Sequence, residues 1–183
     1  GKYGDQVAQI ASSGCIACAA GKASSLVSRN SSEACALCVE GRFQGAKGKA
    51  TCIVCVAGKY GDQTGQTAPG TGSGSGDGCK NCGKGKYSSA QGATAESQCN
   101  SCSPGKYSAL AAQTSASVCI NCVVGKYGDT DDATTIEACK DCKVGVEYQN
   151  VTGQPSCKSA ACGAGTYGTA TNATAAPTCT NCV

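Results

Sequence analysis

Eighteen cysteines fall on this 183-residue chain in nine pairs. They are Cys15/Cys18, Cys35/Cys38, Cys52/Cys55, Cys79/Cys82, Cys99/Cys102, Cys119/Cys122, Cys139/Cys142, Cys157/Cys162 and Cys179/Cys182, and all but Cys157/Cys162 read Cys-x-x-Cys. The second members follow one another at intervals of 20, 17, 27, 20, 20, 20, 20 and 20 residues. A fixed period in this range marks a repeat architecture, in which each unit contacts mainly its neighbours. The spacing therefore predicts one tandem array over residues 1–183, an extended rod or solenoid of about nine units of ~20 residues. The unit boundaries are 1–20, 21–40, 41–57, 58–84, 85–104, 105–124, 125–144, 145–164 and 165–183. Such an array weighs against a single globular core and one preformed catalytic cleft.

Composition shows what must hold the units together. Leu, Ile, Val and Phe number only 21 of 183 residues. Ordering a residue costs on the order of 1.5 kcal/mol, and little apolar surface is present to offset it. A disulfide closing a 15-residue loop stabilises by roughly 3 kcal/mol, so covalent cross-links decide whether this chain folds. Bonds of that kind persist outside the cell or in the secretory lumen, not in a reducing cytosol. Three N-glycosylation sequons agree, at Asn30, Asn150 and Asn172. No apolar run approaches the length of a membrane span. The chain starts at Gly1 and reads as a mature form or as part of a longer one.

A second feature keeps register with the cysteines. Three residues after each second cysteine comes a Gly, then usually a basic residue, then an aromatic ring. The rings are Tyr3, Phe43, Tyr60, Tyr87, Tyr107, Tyr127, Tyr148 and Tyr167, which are all the aromatic residues of the chain. The slot is expected to supply most of each unit's apolar area, with the ring stacked on a neighbouring disulfide. The Gly stands where the chain reverses, because it accepts φ > 0 without penalty. Gly, Ser, Thr and Ala with β-branched residues suit short strands and turns, and nothing sustains a helical period. The fold class predicted is small, disulfide-rich and mostly irregular or all-β, with two short strands per unit and almost no helix. Strands of about five residues would give a rise of roughly 15–20 Å per unit.

Departures are local. The second unit has Ala23 in place of the ring, and the eighth carries Tyr148 one residue late. Gly65–Gly76 is a Gly/Ser-rich insertion that reads as a flexible loop. Gly-Lys-Tyr-Gly-Asp opens units one, four and seven, bringing in Asp5, Asp62 and Asp129. Asp131 and Asp132 read as solvated turn residues.

Connectivity does not follow from sequence alone, but physical arguments rank the options. A bond inside Cys-x-x-Cys closes a tiny ring and is readily reduced. Bonding each second cysteine to the first of the next pair closes the ring-bearing loop. That pattern gives Cys18–Cys35, Cys38–Cys52, Cys55–Cys79, Cys82–Cys99, Cys102–Cys119, Cys122–Cys139, Cys142–Cys157 and Cys162–Cys179. Cys15 and Cys182 are then left to bond a further repeat or another molecule. Zinc is the competing use of paired Cys-x-x-Cys motifs. Nine pairs do not divide into fours, and the chain has no His. A thioredoxin-like redox site needs one Cys-x-x-Cys at a helix start, which nine copies on a repeat do not fit.

The stretch from Cys99 to Cys142 reads Cys-Asn-Ser-Cys-Ser-Pro-Gly-Lys-Tyr-Ser and then Cys-Ile-Asn-Cys-Val-Val-Gly-Lys-Tyr-Gly. It resembles the ephrin-receptor-like cysteine-rich repeat, related to tumour-necrosis-factor-receptor modules, and the resemblance covers essentially the whole chain. It implies extended, extracellular, disulfide-laddered modules with the loop-closing connectivity above. It also implies the company of surface and fibre-forming proteins of algae and other unicellular eukaryotes.

For function, the expectation is a protein that is not an enzyme. No His is available as a general base, and the twelve acidic residues are scattered. With 15 Lys and Arg, the basic, aromatic-laced surface of a nucleic-acid binder is missing. No metal or cofactor is called for. The leading reading is a glycosylated structural rod of a cell-surface or extracellular fibre. Its partners would be further copies or flanking repeats and covalent glycans, with no nucleic acid and no membrane span in this segment. The alternative is a ligand-binding ectodomain of a surface receptor or antigen.

Overall fold

The computed structural model describes residues 1–4, 15–25, 32–70, 78–160, 162–169 and 173–182. Its repeating element is a turn. Gly21, Gly41, Gly58, Gly85, Gly105, Gly125, Gly145 and Gly165 all have φ between 73° and 85°. In the sequence Ser103-Pro104-Gly105-Lys106, the Lys106 N–H donates to the Ser103 carbonyl at 3.2 Å. This is a type II turn, with Pro and Gly in the two central positions that favour them. The same bond closes the turns before Lys22, Arg42, Lys59, Lys86, Lys126, Val146 and Thr166.

After each turn the chain pairs with the residues between the next two cysteines. Lys106 lies opposite Asn121 and Tyr107 opposite Ile120, inside Cys119-Ile-Asn-Cys122. Nine antiparallel two-stranded hairpins form in this way among the described residues. Hairpins 1 to 4 pair Lys2–Gly4 with Cys15–Ala17, Lys22–Ala23 with Ala36–Leu37, Arg42–Phe43 with Ile53–Val54, and Lys59–Tyr60 with Lys80–Asn81. Hairpins 5 to 9 pair Lys86–Tyr87 with Asn100–Ser101, Lys106–Tyr107 with Ile120–Asn121, Lys126–Tyr127 with Lys140–Asp141, Glu147–Tyr148 with Lys158–Ser159, and Thr166–Gly168 with Cys179–Asn181. The strands are two or three residues long rather than about five. The turn glycine limits one end, and in every hairpin but the eighth the bond from the second cysteine N–H back to that glycine's carbonyl limits the other, as from Cys122 to Gly105 at 2.8 Å. No α-helix occurs among the described residues, and single 3₁₀ turns precede Cys35, Cys99, Cys119 and Cys139.

This placement fixes the disulfides. Two cysteines three apart on an extended strand are separated by about 10 Å and point to opposite faces. That exceeds the Cα distance a disulfide can span. Each therefore bonds outward, second cysteine to the first of the next pair: Cys18–Cys35, Cys38–Cys52, Cys55–Cys79, Cys82–Cys99, Cys102–Cys119, Cys122–Cys139, Cys142–Cys157 and Cys162–Cys179. The described chain falls into two compact units, Gly1–Cys82 with Ser88–Cys99 and Ala112–Thr114, and Gly83–Tyr87 with Asn100–Ala111 and Ser115–Val183. Four of the disulfides lie within each unit.

Backbone bonds reach further than the disulfides. In the first unit Gly48, Gly65, Gly92 and Ala112 donate to the carbonyls of Cys18, Cys38, Cys55 and Cys82. In the second unit Asp132 and Gly153 donate to Cys102 and Cys122. Each of these bonds joins a hairpin to the next but one, which nearest-neighbour stacking does not anticipate. The donor residues occupy the left-handed region, including the non-glycine Ala112 and Asp132 at φ 57°. The fit is tight, because a Cβ placed on Gly41 would overlap the Gly92 carbonyl. The insertion is docked where it is described. Gly65 bonds Cys38, Gln66 bridges Phe43, and the Lys59 ammonium donates to the Gly70 carbonyl at 2.9 Å. Residues 71–76 lie outside the described residues.

The core is sulfur and polar backbone. The cysteines of the ladder supply most of the buried hydrophobic residues, and the buried polar side chains are Ser24, Gln44, Ser88, Ser108 and Gln149. All five follow the ring position directly. The backbones of Gln44, Ser88, Ser108 and Gln149 bond on both sides, as where the Gln149 N–H donates to Ala173 at 2.8 Å and its carbonyl accepts from Gly125 at 2.7 Å. Glutamine appears where the disulfide loop is shortest, at separations of 14 and 15 residues instead of 17 or 24. These two loops have no 3₁₀ turn, and the amide takes its place. Gln44 Nε2 donates to Thr51 O at 2.8 Å and Oε1 accepts from Ala46 N at 3.1 Å. Gln149 makes the same pair of bonds to Ser156 O at 2.8 Å and from Val151 N at 3.1 Å.

The late Tyr148 and the widened Cys157/Cys162 pair prove to be one adjustment. An extra residue enters the turn, so Glu147 N–H donates to Lys143 O at 2.8 Å. On the facing strand Ala160 N–H donates to Val146 O at 3.0 Å, in place of the usual cysteine-to-glycine bond.

Gln149→Ala removes two part-buried hydrogen bonds, from Nε2 to Ser156 O and from Val151 N–H to Oε1, and is expected to cost about 1–3 kcal/mol at roughly 0.5–1.5 each. Ser88 is equally buried, but its Oγ has no partner, so Ser88→Ala is expected to be neutral or stabilising. Thermal unfolding without reductant, with hydrogen exchange at Val151 N–H, measures both. Equal losses in the two variants would contradict the role given to glutamine.

Candidate functional site

The chemistry this chain carries is distributed along the hairpins. Each unit repeats one covalent loop, and what varies is what the loops present to solvent. Among the described residues no group of three or more His, Cys, Asp or Glu gathers in a way that would hold a metal ion. The two sulfurs of each Cys-x-x-Cys serve different disulfides, except at Cys15 and Cys182, which are free and exposed. Cys15 occupies a first-cysteine position opposite Gly4. Cys182 occupies a second-cysteine position, its N–H donating to Gly165 O at 2.8 Å.

The rings are less buried than the sequence suggests. Tyr3, Phe43, Tyr60, Tyr87, Tyr107, Tyr127 and Tyr148 are half-buried, and Tyr167 is 52% exposed. Burial belongs to most of the bonded cysteines and, in hairpins 2 to 8, to the residue after the ring position, whereas the short strand covers the ring only in part. Tyr167 is thus a surface residue. Phe43 lines a small pocket of about 100 Å³ with Ile53, Val54, Pro69 and the disulfide-bonded Cys79. Where Ala23 replaces the ring, an open pocket of about 340 Å³ is lined by Ala23, Ser24, Leu37, Val39 and Arg42. A third open pocket, of about 320 Å³, has Lys126 and Asp141 at its rim, joined at 2.6 Å.

Two of the Gly-Asp openings carry an ion pair across the hairpin. Asp62 meets Lys80 at 2.7 Å and Asp129 meets Lys140 at 2.7 Å. The lysine in each follows the first cysteine and lies opposite the tyrosine two residues before the aspartate, so the pair meets diagonally past the end of the strand. Asp5 lies outside the described residues. The hydrogen bond from Lys140 holds the Asp129 carboxyl below its ordinary value of 3.8, and the same bond raises Lys140 above 10.5. Asp62 raises Lys80 in the same way. The Thr135 hydroxyl lowers Glu137. Asp132 is not a free turn residue, since its Oδ2 lies 3.6 Å from the Lys86 ammonium.

Of the three sequons, Asn30 and Asn172 lie outside the described residues. Asn150 is exposed, and its Oδ1 accepts from the Lys158 ammonium at 2.7 Å. Thr152 Oγ1 of the same sequon accepts from Asn121 Nδ2 at 3.3 Å. Exposed apolar side chains cluster beside the cysteine turns, at Leu37, Val39, Ile53 and Val56 in the first unit and at Ile120, Val123 and Val124 in the second. The buried slot after the ring was the main feature hidden in the sequence. Its signal was composition, because that position holds only Ser, Gln or Gly through hairpins 2 to 9.

The ion pairs set a pH window. A lowered carboxyl stabilises above its ordinary value, and the contribution is lost as pH falls through the folded one. A raised lysine stabilises below its ordinary value, and the contribution is lost as pH rises through the folded one. With no His to titrate between, the unfolding midpoint of alkylated protein is expected to stay level from about pH 5 to 9 and to decline on both sides. A step near pH 6 in a thermal scan series would contradict this.

Eight regularly spaced disulfides are typical of secreted or extracellular cysteine-rich proteins. Among the described residues no helix is long and apolar enough to cross a membrane. Comparison with protein-family models and with curated proteins returns no match.

Proposed function

We propose that this chain is a structural extracellular protein, a disulfide-laddered and glycosylated rod that forms part of a cell-surface or extracellular fibre. The observation that carries the reading is the disulfide register. Every internal second cysteine closes on the first cysteine of the next pair, so tension on one hairpin passes to the next through a covalent bond. Backbone bonds to the next hairpin but one add resistance to fraying. Cys15 and Cys182 sit in the two slots that complete the same bond, and they are exposed. Each joins a further repeat or another copy in this proposal. The resemblance to ephrin-receptor-like arrays supports the same reading. The function is mechanical rather than catalytic, and the pockets are gaps between hairpins.

Alkylation of untreated protein, followed by mass analysis, should label no cysteine other than Cys15 and Cys182. Labelling of most thiols would end the extracellular reading. In electron micrographs of oxidised, purified material, uniform filaments are expected. Isolated short monomers that bind a separate partner protein would favour a receptor ectodomain instead.

A further inference from the structure

Asn150 differs from the other two sequons in what precedes it. Two residues before Asn150 stands Tyr148, whereas Ser28 and Ala170 hold that position before Asn30 and Asn172. Gln149, between the ring and the sequon, is only 2% exposed and points inward to Ser156 and Val151. On extended chain, residues on either side of an inward side chain face the same way. Tyr148 and Asn150 therefore share the outward face of hairpin 8.

Lys158 measures how close they are. It lies opposite Tyr148 on the facing strand, its ammonium 5.6 Å from the ring centre and 2.7 Å from Asn150 Oδ1. The amide oxygen is thus no farther from the ring centre than those two distances combined, which is within reach of one pyranose. An ammonium only donates, so the atom facing it must be the amide oxygen. Nδ2, the atom that takes sugar, is left without a hydrogen bond to any described residue.

We propose that the first sugar of an N-linked glycan on Asn150 packs its apolar face on the Tyr148 ring, and that Lys158 sets its orientation through the amide oxygen. The glycan then acts as a packing element of hairpin 8, covering the half of the ring that the short strand leaves to solvent. The ring offers a π-face to the C–H groups of the sugar. The loop that carries the sugar docks on hairpin 6 through Gly153 to Cys122 and Asn121 to Thr152, so ordering Asn150 steadies that contact. Attachment joins Asn150 Nδ2 to C1 of an N-acetylhexosamine from a lipid-linked diphosphate donor. The C1–O bond breaks, the lipid diphosphate leaves with the electron pair, and one amide proton passes to a base of the transferase. The proposal rests on the glycoprotein reading above.

The test uses the full chain secreted from eukaryotic cells, with glycans trimmed to the single linked sugar. Four proteins are compared, with and without Asn150→Gln, each carrying Tyr148 or Tyr148→Leu. Mass analysis of the Asn150 peptide reports occupancy first. Sugar at Asn150 should raise the unfolding midpoint by about 2–4 °C with Tyr148 in place, and the gain should vanish with Tyr148→Leu. In the unsubstituted glycoprotein, nuclear Overhauser contacts should join the sugar to the Tyr148 ring protons, a readout that needs no variant. An unmodified Asn150 overturns both the proposal and the glycan reading at this site. An occupied Asn150 with no ring contacts, or with a gain that survives Tyr148→Leu, overturns the packing role alone.

Discussion

The structure depends on a mismatch between strand geometry and disulfide reach. A two-residue strand flanked by cysteines holds their sulfurs too far apart, and on opposite faces, to join each other. Each pair must therefore bond in two directions, and every internal hairpin is tied to the one before and the one after. The Cys-x-x-Cys motif, elsewhere a metal clamp or a redox centre, serves here as a strand with a cross-link at each end. The two-residue spacing equals the length of the paired strand.

Beyond the sulfur, the interior is made of hydrogen bonds. In hairpins 3, 4, 5, 6 and 8 the position after the ring presents its N–H to one loop and its carbonyl to a turn glycine, and it is buried with small or amide side chains. Burying backbone polar groups is costly unless each finds a partner. The repeat meets that demand by passing bonds to the next hairpin and the next but one. Such reach makes the array more cooperative than a stack of nearest neighbours, because loosening one loop unpairs backbone groups in two others. The same economy explains Gln44 and Gln149, whose amides stand in for turn residues that the shorter loops lack.

Much of this is legible in the sequence. The period of the cysteines gave the repeat, the Gly three residues on gave the reversal, and the shortage of Leu, Ile and Val gave disulfides the leading role. Three things were not legible. The rings looked like the core because they are the only large side chains in register, yet their strands are too short to cover both faces. Asp132 looked solvated because its partner Lys86 is far away in sequence and belongs to hairpin 5. Tyr148 and Cys162 looked like two separate irregularities, because only strand pairing shows that Ala160, two residues before Cys162, bonds Val146, two residues before Tyr148.

Sequence by itself determined the covalent logic of this protein. Spacing and composition are local properties, and a chain with so little apolar area has few other ways to stay folded. The tertiary structure alone decided which residues carry the inside. Burial of Ser24, Gln44, Ser88, Ser108 and Gln149, and the bonds from Gly92 to Cys55 or Asp132 to Cys102, arise between hairpins well separated along the chain. Backbone hydrogen bonding is nearly blind to side-chain identity, so no pattern of residue types could announce which carbonyl each loop would meet.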